Sequence, residues 1–127
     1  MISIESYVRL IKIIIFLIIL AAEVFLSHQD GYKSGDESRR IAERLHLPDK
    51  VIRSGAHVLF FALLMFTGLV AGAPDHKAFV VIAVLLWTIA DEASKPLLQN
   101  FRHFALPDVG FNLLGAGIGY ALWLIIS

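Results

Sequence analysis

Four apolar runs divide the chain, and most of its charge gathers between the first and second and between the third and fourth. The first carries Ile13-Ile14-Ile15-Phe16-Leu17-Ile18-Ile19-Leu20, and the second carries Val58-Leu59-Phe60-Phe61-Ala62-Leu63-Leu64-Met65-Phe66 without a charge. A helix needs about 20 apolar residues to cross a bilayer. The pattern therefore predicts spans over 7–26, 54–73, 78–98 and 107–126, the last opening at Pro107, where a first helical turn tolerates proline. The expected fold is all-α, an integral membrane four-helix bundle forming one domain over 1–127. A signal peptide competes for the first run, but Ala21-Ala22-Glu23 is a poor cleavage site, so a retained span is expected.

Between spans one and two, the polar loop 27–53 holds Gly31, Ser34, Gly35 and Pro48. Within it Asp36 is a capping residue for a short helix reaching Leu47, with Ile41, Leu45 and Leu47 on one side and Arg39, Arg40, Glu43 and Arg44 elsewhere. Such a helix is expected to lie on the membrane interface.

Composition strengthens the membrane reading. Hydrophobic residues make up 57% of 127 and charged residues 17%, with a mean hydropathy of +0.73, more apolar surface than a soluble domain of this length hides. Eleven basic residues balance eleven acidic ones, which argues against a nucleic-acid partner. The absence of cysteine excludes disulfides, thiolate nucleophiles and cysteine-ligated metals.

Alternating spans bring the end of span one, the start of two, the end of three and the start of four to one membrane face. Glu23, Arg53, His57, Asp91, Glu92, Asp108 and Asn112 then converge. Arg53 and His57 are four apart, and Asp108, Asn112 and Gly115 are spaced four and three, so each set lines one side of its helix. Charge in lipid is costly enough to mark function. His57 suits a general base, with Asp91 and Asp108 as catalytic carboxylates, while Arg53, Glu92, Lys95, Arg102 and Asn112 are expected to bind a ligand. Asp91 and Glu92 point about 100° apart; Asp91, deeper in the span, is assigned to the cluster and Glu92 to Lys95 or Arg102. His57, Asp91 and Asp108 also have metal-ligand chemistry, but they lack a known ligand spacing and have arginines at hand, so neither metal nor cofactor is expected. The competing structural reading is a salt-bridged lock between helices. Gly115 and Gly119 allow close helix approach, inside the chain or in a homodimer. Trp87 and Trp123 fit interfacial anchoring.

These motifs resemble the VanZ-like family of small bacterial membrane proteins, named after a protein associated with teicoplanin resistance. The resemblance runs through Ser27-His28-Gln29, Gly35-Asp36-Glu37-Ser38, Arg53-x-x-x-His57, Asp91-Glu92, Arg102 and Asp108-x-x-x-Asn112-x-x-Gly115. Where family members often carry Arg-Lys before the histidine and a Glu/Tyr pair, this chain has Arg53-Ser54 and Phe60-Phe61. The resemblance implies four spans, a cell-envelope role linked to glycopeptide tolerance, and a polar cluster on the outer face of the bacterial cytoplasmic membrane. The raw basic count opposes that orientation, 8 of the 11 lysines and arginines lying on the motif face. The expected function is binding of an anionic lipid or lipid-linked precursor. The alternatives are an enzyme using His57 and a carboxylate on a lipid headgroup, and a non-catalytic structural or partner protein.

Overall fold

The computed structural model describes residues 3–27, 39–72, 75–98 and 106–127. Among them every regular element is helical: α1 (Ile4–Ser27), α2 (39–45), α3 (Asp49–Gly72), α4 (Lys77–Leu98) and α5 (Leu106–Ile126). At about 1.5 Å per residue, the 24, 24, 22 and 21 residues of α1, α3, α4 and α5 match a hydrocarbon layer of about 30 Å.

Local chemistry sets the helix ends. At α1 the Ser3 hydroxyl accepts the Ser6 amide at 3.2 Å, occupying a donor that the first turn leaves open. Before α3 the Pro48 carbonyl accepts from Val51 and Ile52, so that helix starts at Asp49 and residues 49–53, expected in the polar loop, are helical. His46 has a φ of 57° and ends α2, while the Leu47 amide returns to the Ala42 carbonyl at 3.0 Å. The proposed cap Asp36 lies outside the described residues. Of the α2 side chains, Ala42 is buried and Ile41 and Leu45 are exposed, as is Leu47 just beyond the helix, so the apolar side points away from the bundle.

The largest contact joins α3 and α5, which run in the same direction. A Cβ placed on Gly115 would overlap the Val58 carbonyl, and one on Gly119 the Ala62 carbonyl. Equal four-residue steps on both helices keep them in register over this stretch, and the missing side chains let the backbones meet. The small-residue stripe is thus used within the chain. Around it Phe61, Leu64, Met65 and Leu69 of α3 pack with Val84 of α4 and Ala116 of α5, flanked by Phe16, Ile19 and Leu20 of α1. At one end, the Lys77 ammonium lies 5.1 Å from the Tyr120 ring centre and 5.0 Å from that of Trp123.

Two helical stretches, Val51–Gly72 and Leu106–Ile126, are long and apolar enough to cross a membrane. The other two long helices have comparable length but more charge: Glu5, Arg9, Lys12 and Glu23 on α1, and Lys77, Asp91, Glu92 and Lys95 on α4. Of these eight, Glu23, Asp91, Glu92 and Lys95 are buried inside the bundle.

Candidate functional site

The buried positions of α4 form one stripe: Val84, Thr88, Asp91, Glu92 and Lys95. It is apolar where α4 crosses the core and polar beyond it, so its last two turns carry charge into the interior. The polar end of the stripe meets the start of α3, the start of α5 and the end of α1.

His57 of α3 is the pivot. Its Nδ1 lies 2.8 Å from Asn112 Oδ1 on α5, and its Nε2 lies 3.5 Å from Asp108 Oδ2 one turn earlier on the same helix. Asn112 is fully buried, and its Nδ2 donates to the Thr88 carbonyl of α4 at 3.2 Å. That bond fixes the amide orientation, leaving Oδ1 toward the ring, so His57 Nδ1 carries the proton and donates it. Three helices are joined by this single chain of hydrogen bonds.

The adjacent carboxylates of α4 diverge as their 100° separation requires. Glu92 turns toward α3 and α5, offering one carboxylate oxygen that lies, with the ligand atoms of His57 and Asp108, in a group all within 4.8 Å of one another. It also accepts a hydrogen bond from Lys95. Asp91 has its Oδ2 3.9 Å from the Lys95 ammonium and lies within hydrogen-bonding reach of Glu23 on α1. Glu92 thus makes the Lys95 pairing expected of it and also stands beside His57 and Asp108, while Asp91, assigned from the sequence to the cluster, meets Lys95 and Glu23. Glu23 Oε2 in turn accepts the Trp87 indole N–H at 3.1 Å, so Trp87 ties α4 to α1 in addition to any anchoring role.

Of the expected site residues, His57, Asp108, Asn112, Glu92, Lys95 and Asp91 come together in one continuous polar cluster. Arg53 is exposed one turn before His57, close enough for its charge to act on Asp108. Arg102 lies outside the described residues. Thr88 and Trp87 were not expected in the site, although Thr88, Asp91, Glu92 and Lys95 follow helical spacing that a periodicity reading of α4 contains.

The cluster has a closed interior and an open rim. Glu23, Asp91, Glu92, Lys95 and Asn112 are buried, whereas the His57 and Asp108 side chains retain 14% and 19% of their exposure. Separately, a groove of about 1210 Å³ runs along α1 between α3 and α4, lined by Val8, Phe16, Leu20, Leu64, Val80 and Trp87 among others, with Arg9 and Lys12 toward the start of α1. No family model, curated protein or solved structure matches the chain.

Proposed function

We propose that the chain is a multi-pass protein of the bacterial cytoplasmic membrane, VanZ-like in its motifs, that binds the headgroup of an anionic lipid or lipid-linked envelope precursor at the rim of this cluster. The observation that carries the reading is an inverted distribution of polarity. Ile18 and Phe25 of α1, Leu59 of α3, Phe79, Ile82 and Leu86 of α4, and Leu114 and Leu122 of α5 are all exposed, while Glu23, Asp91, Glu92 and Lys95 are buried. Apolar surface on every long helix suits lipid as the solvent, and ionisable groups turned to the bundle interior follow the membrane rule. The exposed Ile41 and Leu45 of α2, with Leu47 just after it, suit a segment lying on the interface.

The buried groups are rich in acid, so an anionic headgroup meets the rim rather than the interior. There Arg53 offers a forked donor, with Arg102 added on sequence grounds, and His57 stands one turn deeper. Apart from the rim, the groove along α1 has apolar walls that accommodate an acyl chain and reaches Trp87, the indole that holds Glu23. Native mass spectrometry of the detergent-purified protein tests it: Arg53→Ala should lose co-purifying anionic lipid, and undiminished retention would overturn the binding role.

A second reading, acid/base chemistry on the headgroup, is favoured by one observation. His57 Nε2 and Asp108 Oδ2 lie 3.5 Å apart at the open side of the cluster, within the range in which a base and its partner tighten on a substrate.

A further inference from the structure

Three features of the cluster are unexplained by headgroup binding at the rim. The first is the meeting of His57, Glu92 and Asp108, from three helices, with one ligand-type atom of each within 4.8 Å of the others. The second is Glu92 Oε2, which has no hydrogen-bond partner among the described residues although Glu92 is 1% exposed; an unsatisfied buried carboxylate oxygen is strongly disfavoured. The third is the orientation of the imidazole. With Nδ1–H donated to Asn112, Nε2 lies 3.5 Å from the Asp108 carboxylate, a contact that needs either a ring proton or a cation between the two atoms.

We propose that His57 Nε2, a Glu92 oxygen and an Asp108 oxygen bind one divalent transition-metal ion, zinc or manganese. One imidazole and two carboxylates suit these ions, with coordination positions left for water or a phosphate oxygen. Two ligands of a tetrahedral ion with bonds of about 2.0–2.1 Å stand roughly 3.3 Å apart, close to the His57–Asp108 separation of 3.5 Å. The Asn112 contact is the outer-shell support that ligating histidines commonly have: it holds the tautomer and ring plane and is itself held by the Thr88 carbonyl. Charge points the same way. With one proton shared between Glu23 and Asp91, the pair together with Glu92 and Asp108 still outweighs Lys95, the single buried base among the described residues, and a dication offsets the remaining excess. Lys95 occupies Glu92 Oε1, and Oε2 is the oxygen without a hydrogen bond among the described residues. This site rests on the folded cluster and stands whether or not a lipid binds at the rim.

The test is metal binding by the full chain in detergent, stripped with chelator, loaded separately with zinc or manganese chloride and desalted, with bound metal measured by mass spectrometry of the elements. Wild type should retain one ion per chain. The near-isosteric variants Glu92→Gln and Asp108→Asn should each weaken binding at least tenfold, and Asn112→Ala should do so by about 10–100-fold. Asp75→Asn, at an exposed turn, should bind as wild type. X-ray absorption of the zinc-loaded protein should show one imidazole among light-atom ligands. Circular dichroism and a single symmetric gel-filtration peak identify which variants are folded, and the comparison uses those. A folded wild type that retains neither metal, closing the cluster with a proton instead, would overturn the proposal. So would retention that none of the folded variants weakens, which would mark an adventitious ion only.

Discussion

His57 Nδ1 donates to Asn112 Oδ1 at 2.8 Å, and this bond ties α3 to α5 where their backbones also pack most closely. Since Asn112 passes the connection to the Thr88 carbonyl, removing either partner strands a buried group. Asn112→Leu should lower stability by about 1–3 kcal/mol, and His57→Leu should add less than its own single effect when combined with it. Reversible unfolding in mixed micelles checks both; strict additivity would show that the two side chains act separately.

The glycine contacts predict a position-specific response. Gly115→Ala forces a methyl against the Val58 carbonyl, and Gly119→Ala against that of Ala62. Backbone cannot move aside as a side chain tip does, so each should destabilise by about 1–3 kcal/mol. At Gly117, where a Cβ meets nothing within 4 Å, Ala should be neutral within about 0.5 kcal/mol. Melting temperatures of the three variants in one detergent separate these outcomes.

Lys95 is the buried counter-charge of two carboxylates. Lys95→Met leaves Asp91 and Glu92 without their buried counter-charge in a dry interior, a loss of about 3–5 kcal/mol by analogy with other broken buried pairs. Lys95→Met with Glu92→Gln should recover part of it, because the second change removes one stranded charge. A double variant no more stable than Lys95→Met would show that Lys95 packs there for its aliphatic stem instead.

Helical spacing and the alternating direction of the long helices were enough to gather Arg53, His57, Asp108 and Asn112 at one end, since those depend only on period and direction. The pairing of Glu92 with Lys95 was legible, but the other neighbours of Asp91 and Glu92 were not. Their 100° divergence is certain from the sequence, but which neighbour each meets depends on the rotation of α4, set by how Val84 and Thr88 seat in the bundle. The same holds for Trp87, whose spacing says nothing of Glu23 across on α1. Helix bounds were legible to within a few residues, with the largest difference at α3, where helix continues back to Asp49. The outward aim of Ile41 and Leu45 follows from the seating of Ala42, a tertiary contact that the amphipathic pattern of α2 does not contain.

Cysteine accessibility in intact cells tests most directly whether the helices cross the membrane with the polar cluster outward. The chain has no cysteine, so Glu43→Cys on the exposed side of α2 and Asp75→Cys at the turn between α3 and α4 each give a single thiol at opposite ends of α3. A membrane-impermeant maleimide should label Glu43→Cys in intact cells, and Asp75→Cys only after the membrane is opened. Labelling of both from outside, or of Asp75→Cys alone, would contradict the account.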